Sequence, residues 1–181
     1  MSIRPDAVEL HTAPGHDQGF DVLLKNLDQA SLSLRRLAVS CGLEAHGMTA
    51  EQLAKTLWNR HSRLRCSGFT PLWQLDGRPM SGDVGAGTAR SAVQLWRAMC
   101  PLAPPGPLQL AGGTNHSTLN NLDRDERPAG IAFGGVARRL LVPLLKEAQL
   151  RGQSLREWPE GWEQAVALAR ELVTPWINRP C

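Results

Sequence analysis

Three times in this chain a short apolar run breaks off into glycine, proline or charge and is followed by a helix-forming pattern. Pro71-Leu72-Trp73-Gln74-Leu75 empties into Asp76-Gly77-Arg78-Pro79-Met80-Ser81-Gly82-Asp83. Pro107-Leu108-Gln109-Leu110-Ala111 ends in Gly112-Gly113-Thr114-Asn115, and Gly130-Ile131-Ala132-Phe133 ends in Gly134-Gly135-Val136-Ala137-Arg138. Apolar runs of this length read as buried strands, and the polar stretches after them as loops, where functional groups concentrate. Strand, loop and helix in succession describe a parallel sheet whose strand ends open on one face.

The N-terminal part extends the same grammar. Residues 7–12 alternate and are cut off by Ala13-Pro14-Gly15, so a first strand is expected there, with a second at 35–40. Asp17 is a candidate cap for a helix carrying Phe20, Leu23, Leu24 and Leu27 on one face. Thr49 with Gln52 forms a capping box for a helix with Leu53, Leu57 and Trp58 inward. Four prolines in residues 101–107 end the helix that carries Val93, Trp96 and Met99. A short helix is expected from His116 to Leu122, and a longer one from Val136 to Leu150 with Leu140, Leu141, Leu144 and Leu145 inward. Pro143 within it marks a kink or a local rupture. The expected fold is α/β: about five parallel strands with outer helices, part of a (β/α)8 barrel. A full barrel takes about 250 residues, more than this chain has. Residues 1–150 form that half-barrel and 151–181 a C-terminal helical extension.

Composition excludes several classes. Twenty basic and 17 acidic residues nearly balance, and no basic run alternates with aromatics, so nucleic acid is not an expected partner. No apolar run is long enough to cross a bilayer and no secretory leader is visible, so the expectation is a cytoplasmic protein without membrane contact. Cys41, Cys66, Cys100 and Cys181 are scattered, with no paired spacing for a metal or an iron–sulfur cluster. The five histidines have no metal-site spacing either.

Two sets of residues can bind something. Gly112, Gly113, Thr114 and Asn115, then Gly134, Gly135 and Arg138, occupy the two final strand-to-helix loops, where barrels commonly hold a phosphate. Glycine there admits a phosphate to the backbone, and a helix start adds N–H donors, although tight turns use glycine for conformation alone. Flavin mononucleotide (FMN) or phosphate is the ligand this set would take, and the alternative function it carries is that of an FMN-type barrel enzyme domain. The central loop brings Asp76, Arg78, Ser81 and Asp83 together, either as a polar binding site or, the favoured reading, as an ion pair stiffening the loop with Asp83 capping the next helix. No catalytic set and no metal-ligating set accompanies them.

The three motifs, in this order, resemble the C-terminal region of the cyanobacterial light-dependent-period (LdpA) family, over about Val8 to Leu145. The resemblance implies a non-catalytic regulatory domain of a redox-sensitive iron–sulfur protein that modulates the period of the circadian clock in response to light and is found with clock components. That family joins a cysteine-rich, ferredoxin-like segment to this region. The sequence from Met1 onward contains no such segment, and the four cysteines do not replace it. The expectation is no cofactor in this chain, with the cluster on a protein partner that also completes the barrel, adding at the sheet edge near residues 7–12.

Overall fold

The computed structural model describes residues 7–12, 17–30, 34, 36–43, 47–78 and 85–179. Its strands are β1 (Ala7–Leu10), β2 (Arg36–Cys41), β3 (Pro71–Asp76), β4 (Leu108–Ala111) and β5 (Gly130–Ile131). They form one sheet in the order β1-β2-β3-β4-β5, and all four pairings are parallel. Each strand lies beside its predecessor with no reversal of order, so right-handed crossovers carry every intervening helix to the same face. That is the winding of a barrel wall. Among the described residues the sheet does not close, however: β1 pairs with β2 alone and β5 with β4 alone.

The register explains which side chains meet the helices. Leu10, Val39, Trp73 and Leu108 lie in one row across the sheet, and Cys41, Leu75, Leu110 and Ile131 in the next. These rows form the core with Phe20 and Leu24 of α1 (Asp17–Gln29), Leu53, Leu57 and Leu64 of α2 (Ala50–Cys66), and Val93, Trp96 and Met99 of α3 (Ala89–Met99). The alternate residues, among them Ala38, Ser40, Gln74 and Asp76, point to the other face, as the strand period of two requires. A fully buried side chain of Leu size contributes about 1.5–3 kcal/mol, so this central set dominates stability. Trp73 also donates its indole N–H to the Pro105 carbonyl (2.6 Å), so the proline-rich connection is wrapped against the central strand.

The capping box at α2 is formed as expected: Thr49 Oγ1 accepts from Gln52 N–H, and Gln52 Oε1 accepts from Thr49 N–H. Three inward assignments differ. Leu23 of α1 and Trp58 of α2 are exposed, Trp58 at 52%, and Leu145 is 49% exposed. Each adjoins a buried apolar neighbour along the chain, and a helix turning 100° per residue cannot bury both when only one face is covered. The short helix expected at 116–122 is a single 3-10 turn, Leu119–Asn121, and β5 has two residues rather than four.

Helix α4 (Gly135–Leu150) makes its main helix contact with α5 (Pro159–Ile177). Leu144, Ala148, Trp158 and Ala165 form a second, smaller core between them. Trp158 lies on Gly161, where an added Cβ would stand 2.1 Å from the ring, and the Arg151 guanidinium covers the ring at 4.3 Å. The last turn of α5 returns to the sheet: Trp176 meets Phe133 edge-on at 6.4 Å, and Arg179 Nη2 donates to the Asp123 carbonyl at 2.6 Å.

Candidate functional site

The strand ends of β3, β4 and β5 meet on one face, joined largely by glycine and small hydroxyl residues. Gly77, just past β3, donates its N–H to Ala111 (3.3 Å), and α3 presses directly upon it. A Cβ there would lie 2.1 Å from the Ala92 nitrogen, so only glycine lets the helix come this close. Buried Asp76 and exposed Arg78 border a cleft of about 300 Å³ that reaches α3 at Ser91 and Gln94. Ser81 and Asp83 lie outside the described residues.

Gly112 and Gly113 have φ of +53° and +92°, the left-handed region that favours glycine. Their crowding is equally specific. A Cβ on Gly112 would stand 2.7 Å from the Arg78 carbonyl oxygen, and one on Gly113 2.8 Å from that of Thr88. Thr88 Oγ1 donates toward the Gly113 carbonyl (2.6 Å) and the Gly85 carbonyl (2.8 Å). Thr114 Oγ1 donates to the Ala132 carbonyl (2.5 Å), which joins this loop to β5. Asn115 is only 3% exposed: its amide donates to Gly85 O (2.7 Å) and Thr88 Oγ1 (3.2 Å), and its Oδ1 accepts from Ser117 N–H (2.8 Å). Fully buried Thr118 closes the turn, its hydroxyl bonded to both the N–H and the carbonyl of Asn115.

The second glycine pair is different. Gly134 is exposed, has a negative φ of −98°, and has open space where a Cβ would stand. It precedes α4, which has no acidic residue in its first turn, and Arg138 is exposed on that helix. Thus Asp76, Arg78, Gly112, Gly113, Thr114 and Asn115 are brought together, whereas Arg138 makes no side-chain hydrogen bond or ion pair with them among the described residues. After Gly113 the chain enters a turn and a three-residue 3-10 segment, so the first glycine pair does not lead into an α-helix start.

Sequence reasoning missed Thr88 and Thr118, which hold the glycine loop, although the spacing Asn115-x-Ser117 is the signal of an Asx turn. It also missed a chain of contacts at the ends of β1 and β2. Ser40 Oγ lies 2.9 Å from His11 Nδ1 and accepts from Thr12 N–H (3.0 Å), while buried Arg60 donates to Thr12 Oγ1 (2.9 Å) and covers the Phe20 ring at 5.1 Å. This is not a nucleophile with its base. Ser40 is fully buried, and the histidine nitrogen that faces it is the same one that faces Glu9 (3.8 Å), with no carboxylate on the second nitrogen among the described residues.

The family model for the light dependent period A C-terminal domain matches residues 1–175. The chain belongs to this family. It is 40% identical over 178 residues to light dependent period A of Synechococcus elongatus, a match covering 94% of this chain and 49% of that protein. The chain therefore spans about half the length of this curated relative. No solved structure matches it. The family match covers all of α4 and ends within α5.

In this member of the light dependent period A C-terminal domain family the cysteines are dispersed over the fold. Cys41 is buried at the C-terminal end of β2, its Sγ 3.4 Å from the Gln74 carbonyl. Burial pushes its thiol well above the usual range, the charge of Asp76 adds to this, and Arg60 opposes it, so at neutral pH it is a protonated core group. Cys66 ends α2, on the side where β3 begins, and is exposed, as is Cys100; Cys181 lies outside the described residues. No group of three or more His, Cys, Asp or Glu placed to hold a metal occurs among the described residues. No described helix is long and apolar enough to cross a membrane.

Proposed function

We propose that this chain is a non-catalytic, cytoplasmic regulatory domain that acts in setting the light-dependent period of the circadian clock. The observation that carries this reading is the 40% identity to light dependent period A over 94% of the chain. The geometry supports it in kind. The amide of Asn115 and the hydroxyls of Thr88, Thr114 and Thr118 are engaged within the protein, so these loops work as a rigid platform rather than as reactive groups. In this reading a protein partner, a clock component or a chain bearing the iron–sulfur cluster, adds strands at the open edge of β1 and extends the half-barrel.

The test is replacement. In Synechococcus elongatus lacking its own light dependent period A, the matching half of that protein is exchanged for this chain, and the rhythm period is measured at two light intensities. The period is expected to keep its light dependence. A chimera that accumulates normally yet behaves as the deletion strain would overturn the assignment.

A second reading, binding of FMN or phosphate, draws on exposed Gly134, Gly135 at the start of α4, and Arg138. Calorimetry with FMN and with inorganic phosphate decides it: heat of binding that Arg138→Ala removes supports the site, and none at millimolar ligand refutes it.

A further inference from the structure

Strand β5 ends the sheet with half of its backbone unused. In the β4–β5 ladder Ala132 N–H bonds to the Leu110 carbonyl, and Leu110 stands opposite Ile131. In a parallel pair the residue opposite such a bridging residue turns its own N–H and C=O to the far side. Ile131 therefore presents both groups to the open edge, and no hydrogen bond to either is found among the described residues.

A cleft of about 280 Å³ lies along that edge, between Arg127, Gly130 and Ile131 on one side and Trp176, Ile177 and Arg179 on the other. Its lining holds two arginines and no acid. Ile177 is 74% exposed at the rim. Arg179 spends Nη2 on the Asp123 carbonyl, but its Nη1 is buried and has no partner. Arg127 Nη1 bonds to the carbonyls of Arg124 and Glu126. A cleft lined by two guanidinium groups and no acid is complemented best by carboxylates. Edge amide, apolar wall and an arginine pair in one cleft are the parts from which strand addition is built.

We propose that this cleft takes an extended, acidic peptide segment of a partner protein as a sixth strand, with its backbone on Ile131 and its carboxylates beside Arg127 and Arg179. The inference concerns the edge opposite β1 and does not depend on the light-dependent-period role.

The probe is a blocked hexapeptide of alternating valine and glutamate, titrated into the 15N-labelled chain. It is expected to shift the amides of Gly130, Ile131 and Ala132 and the indole N–H of Trp176. Arg179→Gln should weaken binding about tenfold or more with the circular dichroism unchanged. The same peptide N-methylated at alternate amides should not bind, which tests backbone pairing without altering the protein. Equal binding by a valine–lysine peptide, by the N-methylated peptide or by Arg179→Gln overturns the proposal. So does the same set of shifts at equal affinity with succinate or phosphate, shifts confined to other residues, or no binding at millimolar peptide.

Discussion

The two glycine pairs at the ends of β4 and β5 look alike on paper and are opposite in the fold. Gly112 and Gly113 are held at positive φ against the backbones of Asp76, Arg78 and Thr88, under a net of buried hydrogen bonds. Gly134 has an ordinary φ and open space around it. The first pair is required by shape, because any Cβ would meet backbone atoms that cannot swing away. Gly134 is not, so whatever advantage glycine has there lies outside the packing. Glycine repeated after a strand thus carries two physical meanings, and the contacts of the loop decide which applies.

The sharpest way to break this comparison is to add a Cβ to each. Gly113→Ala is expected to destabilise the chain by about 2–4 kcal/mol, since a strained φ and a backbone clash act together. Gly134→Ala should stay within about 0.5 kcal/mol. Urea denaturation of both variants checks the pair; equal costs would show that the two loops are alike after all.

Next in size is Asn115→Ala. It removes a buried amide that ties Gly85 and Thr88 to the loop and leaves the Ser117 N–H without its side-chain acceptor, at an expected cost of about 1–3 kcal/mol. Asn115→Asp should also be costly, because a carboxylate cannot donate to Gly85. A thermal shift as small as that of an exposed substitution such as Arg138→Ala, which is expected to stay within about 0.5 kcal/mol, would mean that the net does not hold the loop.

The smallest effect lies between the two loops. Glu126 accepts from Arg97 at 2.6 and 2.8 Å and from Asp123 N–H, clamping residues 123–126 to α3. The hydrogen bond from Arg97 foremost, then the Asp123 N–H, hold its carboxyl below the usual range against the opposing effect of burial. With the folded value depressed, this clamp is fully present above the ordinary carboxyl value of about 4.3 and is lost as pH falls through the folded value. Amides of Asp123 to Glu126 should therefore lose protection in acid before those of α2, and Arg97→Ala should remove that difference. Simultaneous loss in both regions would show that the clamp contributes nothing local.

Much of the fold was legible in the residues. The runs at 71–75 and 108–111 are apolar enough to be central strands, the proline cluster stops α3, and Thr49 with Gln52 starts α2, each through a rule that acts within a few residues. The site was legible only in part. Thr88 lies 25 residues from the carbonyl it holds, and Asn115 lies 30 residues from Gly85, so no local pattern announces their pairing. Arg138 follows its glycines as a ligand-binding arginine would, yet α4 carries it on an exposed face.

The sequence by itself determined the order of strands and helices and their parallel sense, because apolar run length, turn residues and helix periodicity act locally and right-handed crossovers follow from chirality. Tertiary structure alone decided that α4 packs with α5 and which glycine pair is locked. Each of these depends on what a distant segment places opposite a given residue: Trp158 and Ala165 beside Leu144 and Ala148, and Thr88 against Gly113.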